Sequence, residues 1–228
     1  MGDYSHIAPC VYFNNCINFK LVILTNGYYW FKVMVKDYLM DLMRSKNTIF
    51  TTKDVSLMWG ESNVDFVRKK LFRYMKAGKL YSVRKGVYAK DKNYKKYELA
   101  TKIFTPSYVS FETVLARAGV VFQFYSQIFS ASYLTRELII DNQIYVFKKI
   151  KDSILTNQVG IEVKDNYFIA SLERAFLDVV YLNREYHFDN LSGIDWDKVD
   201  EILPIYGGNK RMEIKIKKYR EATQKGLN

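Results

Sequence analysis

Lysine and arginine are the residues of this chain whose types and spacing point most clearly to a chemistry. Between residues 53 and 102 stand fourteen of them: Lys53, Arg68, Lys69, Lys70, Arg73, Lys76, Lys79, Arg84, Lys85, Lys90, Lys92, Lys95, Lys96 and Lys102. Five acids oppose them (Asp54, Glu61, Asp65, Asp91, Glu98), leaving a local excess of +9. The whole chain of 228 residues carries +11, residues 1–52 contribute +2, and residues 103–228 hold sixteen charges of each sign. Such a concentrated excess attracts polyanions, nucleic acid before anionic membrane, because each neutralised phosphate releases a condensed counterion.

Other chemistries lack their residues. Cys10 and Cys16 are too few for a disulfide framework, and with His6 and His187 as the only histidines a Cys/His zinc site is nearly excluded. No metal or cofactor is expected. Glu173 and Asp178 are the strongest carboxylates to consider, but five apart on a helix they point about 140° away from each other. The pair Glu173-Arg174 reads more simply as a capping and ion-pair feature that holds a helix to a sheet. His187, between Tyr186 and Phe188, reads as a partly buried ring. Gly207-Gly208-Asn209-Lys210 has too few glycines, and no following Ser or Thr, for a phosphate loop. No nucleophile elbow is present, so the chain is not expected to be an enzyme.

The elements that position the cations can be read from punctuation. Apolar residues recur at helical spacing from Tyr29 to Ser45, with Trp30, Met34, Tyr38 and Leu42 on one ridge. The β-prone stretch Thr48-Ile49-Phe50-Thr51 follows. Thr52 is a candidate N-cap for a short helix ending at Gly60, and Ser62, with Asp65 in the capping-box position, caps the next. That helix runs to Ala77 and stops at Gly78. The β-type segments Lys79–Val83 and Val87–Ala89 flank Arg84-Lys85-Gly86, which reads as a hairpin tip.

Helix, short strand, helix, turn, helix, hairpin is the order of a winged helix-turn-helix. On a wheel of the third helix, Val64, Val67, Leu71 and Met75 share one side. Ser62, Phe66, Lys69, Arg73 and Lys76 lie opposite, with Lys70 at the flank. The expected DNA-binding set is therefore Ser62, Lys69, Lys70, Arg73 and Lys76 from the helix, with Arg84 and Lys85 from the hairpin. Phe66 fits either a thymine methyl or burial against the N-terminal segment. A solvated basic face is the plainer alternative for the helix alone; the order of elements and the basic tip favour DNA.

Beyond residue 102 the pattern mixes helix and strand. Ser110 reads as the cap of an apolar helix through Leu115 and Ala118. Ile128–Leu134 and Ile144–Ile150 read as strands, Val159–Val163 and Tyr167–Ala170 as a hairpin around Lys164-Asp165-Asn166, and Ser171 as the cap of a further helix. In the tail, Asp195–Leu203 is stopped by Pro204, and Lys210–Arg220 alternates in a way that leaves helix or strand open. The expected fold class is α+β: an N-terminal winged helix-turn-helix in residues 28–102, then a mixed α+β domain in residues 103–228. Residues 1–27, aromatic and Asn-rich, receive no role. No apolar run reaches the ~20 residues of a membrane span, and no basic-then-apolar leader opens the chain. No membrane partner is expected, and the reducing cytoplasm is the default compartment.

Three stretches resemble one known family. Leu71-Phe72-Arg73-Tyr74-Met75-Lys76-Ala77-Gly78-Lys79-Leu80 followed by Arg84-Lys85-Gly86-Val87-Tyr88 is similar to the "helix, small-Gly-Lys-Leu, basic-Gly-Val-Tyr" signature of AbiEi antitoxins. These are the transcriptional-regulator antitoxins of type IV toxin–antitoxin systems used in phage defence. Pro106-Ser107-Tyr108-Val109-Ser110-Phe111-Glu112-Thr113-Val114-Leu115, then Ala118-Gly119-Val120, resembles the family's "Pro, strand, Ser-capped helix, small-Gly" segment. Ile169-Ala170-Ser171-Leu172-Glu173-Arg174-Ala175-Phe176-Leu177-Asp178 is similar to its "Glu-Arg-Ala-hydrophobic-Leu-Asp" helix. The resemblance spans residues 35–185 in consistent order. It implies a winged helix that binds repeats in double-stranded promoter DNA and a C-terminal domain required for antitoxin action against a nucleotidyltransferase-like toxin; paired operators would suggest two protomers, bound cooperatively or as a dimer.

Three functions follow for testing. One is a DNA-binding antitoxin that represses its own operon. Another is a standalone regulator with the same DNA reader and a sensing or dimerising C-terminal domain. The third, carried least by the residues, is a nucleic-acid-processing enzyme whose carboxylates converge only in the fold.

Overall fold

A computed structural model describes residues 22–24, 27–29 and 37–225, divided into compact units of residues 1–40 and 41–228. In the first unit, β1 (Val22–Leu24) and β2 (Gly27–Tyr29) pair antiparallel, Val22 opposite Tyr29. Tyr29, expected to open a helix, thus lies in a strand. The expected ridge residues Trp30 and Met34 fall outside the described residues, as do residues 1–21. The described helix is α1 (Tyr38–Arg44), which buries Leu42.

The second unit has an α+β architecture built on two sheets. The smaller begins with β3 (Ile49–Thr51), then α2 (Thr52–Trp59), α3 (Val64–Lys76), β4 (Tyr81–Arg84) and β5 (Val87–Ala89), with strand order β3-β5-β4, all antiparallel. The caps fall one residue away from those expected. Thr51, not Thr52, caps α2 in a capping box with Asp54, and Asn63, not Ser62, caps α3 by accepting from the Phe66 N–H. In each case an Asp, Asn, Ser or Thr neighbour offered the same side-chain chemistry, and backbone geometry chose between them. Gly60 (φ +62°) and Gly78 (φ +66°) take the left-handed conformation that ends α2 and α3.

The larger sheet has six strands in the order β10-β11-β6-β7-β9-β8. They are β6 (Ser107–Val109), β7 (Ile128–Ser132), β8 (Arg136–Ile140), β9 (Gln143–Lys149), β10 (Ile161–Lys164) and β11 (Tyr167–Ala170). The β7–β9 and β6–β11 pairs are parallel and the others antiparallel. The hairpin turns Asp141-Asn142 and Asp165-Asn166 both hold positive φ at two residues, the pattern of the tight turns that suit the strand twist. Helices cover both faces. α4 (Lys96–Ile103) receives the Ser107 hydroxyl against its terminal carbonyls, whereas Tyr108, next along β6 and so on the opposite face, meets Asp178 of α7 (Leu172–Leu182). The remaining helices are α5 (Glu112–Arg117), α6 (Asp152–Leu155), α8 (Trp196–Ile202) and α9 (Lys210–Gln224), with a 3₁₀ turn at Leu203–Tyr206.

Two details of this half depart from expectation. Ser110 caps nothing: α5 begins after Phe111 without a side-chain cap, and the Ser110 hydroxyl donates to Asp178 at 2.7 Å. His187 is not partly buried; its side chain is 89% exposed, 3.8 Å from Asp189. The tail ambiguity resolves to helix, because Met212 and Ile216, four apart, are buried while Ile214 between them is 58% exposed.

α4 joins the two sheets. Its Glu98, fully buried, accepts from the N–H groups of Thr48 and Ile49 and from the Thr48 hydroxyl, fixing β3 to the helix. Ser107 fixes the other sheet to the same helix. Ile49, Val87 and Ala89 of the small sheet share one continuous apolar core with Leu99, Phe111, Phe147 and Phe176. The division expected at residues 102 and 103 falls in the last turn of α4.

Candidate nucleic-acid interface

α3 is held by its apolar stripe. Val67 and Leu71 are fully buried with Val55 and Trp59 of α2, and the Trp59 ring stands edge-on to Tyr74 at 6.5 Å. Val64 departs from the expected stripe at 41% exposed. Along the outer side, Lys69, Arg73 and Lys76 are exposed, as is Ser62 just before the helix. Lys70 is half-buried with its ammonium 5.7 Å from the Tyr74 ring, and Lys76 lies 5.6 Å from the Phe72 ring. Phe66 is 37% exposed.

The hairpin is tied to the start of α2 by the β3–β5 pairing and by one further backbone contact. The Thr52 N–H, at the start of α2, donates to the Gly86 carbonyl at the hairpin tip, 3.1 Å away. A register irregularity between Ser82 and Arg84 bends β4 just before that tip. Arg84 and Lys85 are both exposed. Between helix and tip runs a groove of about 810 Å³ lined by Thr52, Arg68, Lys69, Phe72, Lys85, Gly86 and Tyr88.

Of the seven expected contact residues, the groove brings together Lys69 and Lys85. Arg73, Lys76 and Arg84 lie exposed on the same two elements, Ser62 lies before α3, and Lys70 is turned toward Tyr74. Arg68 and Phe72 were missed. They form a helical row with Lys76 at spacings of four, a signal obscured when the wheel is centred on Lys69 and Arg73. Arg68 pairs with Asp65 at 3.2 Å, both side chains largely exposed, a contact worth about 0–1 kcal/mol that leaves the guanidinium accessible.

The acids of the basic segment sharpen its sign at the surface. Glu98 is consumed in fixing β3. Asp54 is half-buried: burial works against its carboxylate, but the Thr51 N–H and the Lys102 ammonium at 3.0 Å outweigh that and hold it below its ordinary value. Glu98 and the Asp54–Lys102 pair are therefore structural, which takes two acids and one cation out of the balance and leaves it one charge more positive than the count alone.

Among the described residues, no three His, Cys, Asp or Glu side chains are grouped to hold a metal ion, and no helix is long and apolar enough to cross a membrane. Glu173 and Asp178 do not share a site. Asp178 instead lies in a buried cluster with Arg174, whose Nε is 3.5 Å from its carboxylate. No protein-family model matches the chain, and no curated protein matches it.

Proposed function

We propose that the chain is a double-stranded-DNA-binding transcriptional regulator acting as an antitoxin of the AbiEi kind. Within the winged helix-turn-helix expected in residues 28–102, α3 would serve as the recognition helix in the major groove and the β4–β5 hairpin as the wing on adjacent backbone. The observation that carries the reading is the groove between α3 and the hairpin tip, with Arg68 and Lys69 on one side and Lys85 on the other. Cations on two elements that line one groove suit a duplex, whose phosphates rise on either side of a groove that holds one helix. Arg73, exposed in the last turn of α3, would supply the guanidinium that meets the O6 and N7 of a guanine.

The DNA half of the reading is tested by titrating the full chain with duplex DNA over a range of salt. The logarithm of the association constant is expected to fall linearly with the logarithm of salt, with a slope of about −4 to −6 for five or six phosphate contacts. Binding indifferent to ionic strength, or absent at low salt, would remove the duplex from consideration.

The antitoxin half rests on the resemblance of residues 35–185 and on the neutral charge of residues 103–228, which suits an action not driven by phosphate attraction. Co-expression is expected to rescue cells from a nucleotidyltransferase-like toxin encoded beside it. Soluble, DNA-competent protein that fails to rescue would instead support a standalone regulator with a sensing or dimerising domain.

A further inference from the structure

A second groove lies away from α3. It has a volume of about 1080 Å³ and runs between the start of α4, the end of α5, the following loop and the β10–β11 turn. Three cations line it: Lys95 and Lys96 from the basic segment and the exposed Arg117 from α5. The loop supplies Phe122 and Phe124, which are 71% and 89% exposed. Two large rings this open in one loop mark a surface that something covers. Behind them Tyr97 and Tyr167 meet edge to face at 5.4 Å.

The groove's acids are engaged. Glu112 is held by the Lys148 ammonium at 2.9 Å, and Asp165 by Lys95 at 3.4 Å. The amides of Gln123 and Gln127 complete the lining, while Gln143 is occupied, accepting from Lys96 at 3.0 Å and donating to the Ser126 and Ile144 carbonyls. Cations for phosphates and open aromatic faces for stacking are what single-stranded nucleic acid recognition uses, and free amides can add contacts to base edges. Duplex DNA buries its base faces in its own stack and cannot use Phe122 or Phe124.

We infer that this groove binds single-stranded nucleic acid over a few nucleotides, independently of the duplex surface on α3. Bases stack on Phe122 and Phe124 while Lys96 and Arg117 meet the backbone. The charge balance of residues 103–228 alone gives no reason for such a site. It arises because α4 brings two lysines of the basic segment to the rim of the neutral half.

The test uses the full chain with fluorescein-labelled eight-residue oligouridylate and oligothymidylate, read by anisotropy, with duplex DNA as the parallel ligand. Phe122→Ala/Phe124→Ala is expected to weaken single-strand binding by about ten-fold or more and to leave duplex binding unchanged. Both rings are exposed, so a thermal melt of the variant is expected to match the parent. As a second measurement on the unaltered protein, photo-crosslinking with a 5-bromouridine oligonucleotide is expected to mark residues 117–127. Absence of single-strand binding at low salt overturns the proposal. So does binding lost with Lys69→Ala/Lys85→Ala but not with the phenylalanine variant, or crosslinks confined to residues 64–88. A peptide groove would give the first of these results. Failure here leaves duplex binding intact, and failure of duplex binding leaves the phenylalanine-dependent signal intact.

Discussion

Asp178→Ala is expected to cost the fold about 3–5 kcal/mol, the loss typical when one partner of a buried ion pair is removed. Asp178 and Arg174 are both fully buried, four apart on α7. The carboxylate accepts from the hydroxyls of Tyr108 at 3.0 Å, Ser110 at 2.7 Å and Tyr206 at 2.7 Å. Arg174 in turn donates to the carbonyls of Ile154 and Val159 and to the Tyr108 oxygen. Burial pushes the Asp178 carboxyl up, and Arg174 with the three hydroxyls only partly offsets it. Burial also opposes the Arg174 charge, but the oxygens of Tyr206, Tyr108 and Asp178 outweigh it and hold that pKa above its ordinary value.

Truncating the carboxylate leaves a buried guanidinium without its counter-charge and three hydroxyls without their acceptor. Urea denaturation of the variant is the measurement. Arg174→Met/Asp178→Leu is expected to lose clearly less than the sum of the two single changes, since it removes both charges together. A single-variant loss below about 1 kcal/mol would mean that water reaches the cluster. The consequence for function is positional. The cluster ties α7 to β6, to the segment around α6 and to the 3₁₀ turn, and so sets the sheet against which α4 carries the basic segment.

That cluster was only half legible in the sequence. An arginine near a helix start announces an ion pair, but the nearer carboxylate Glu173 competes with Asp178 on paper. The spacing of four places Asp178 beside Arg174, whereas adjacent residues diverge by about 100°. Ser110 was misread for a related reason. Its hydroxyl is as good a cap as any by type, and only the fold reveals that Asp178 takes it. Strand β8 went unnoticed because Arg136–Ile140 sits at the sheet edge with most side chains in solvent, which erases the alternation that marks a half-buried strand.

The elements from Thr48 to Ala89 were legible because their ends are punctuated by residues with backbone reasons to be there. Gly60 and Gly78 take positive φ, and Gly86 does so at the hairpin tip (φ +79°). The groove facing the tip was less so. Periodicity identifies which residues of α3 point outward but not which of those meet the hairpin. Arg68 and Phe72 therefore emerge only from the groove that α3 and the tip line together. The phenylalanines of the second groove carry no periodic signal at all, since loop 118–127 has none.

Lys69→Ala/Lys85→Ala is expected to lower duplex affinity by about a hundred-fold at about 0.1 M salt, since each phosphate contact is worth roughly ten-fold there through counterion release. The salt slope is expected to become shallower by about 2, one for each contact. Lys69 lies on α3 and Lys85 at the hairpin tip, so each is expected to release its own counterion and their effects to add. Lys217→Ala/Lys218→Ala removes the same charge from the exposed side of α9 and is expected to change affinity by less than about three-fold. Equal losses in the two double variants would mean that net charge alone attracts DNA, with no surface chosen. Arg73→Ala completes the series. As a base-reading contact it is expected to cost a cognate operator about 1–3 kcal/mol while barely altering a random duplex, whereas the lysine pair weakens both alike. An Arg73 loss that is the same on both would place that guanidinium on phosphate and leave sequence reading to other side chains of α3.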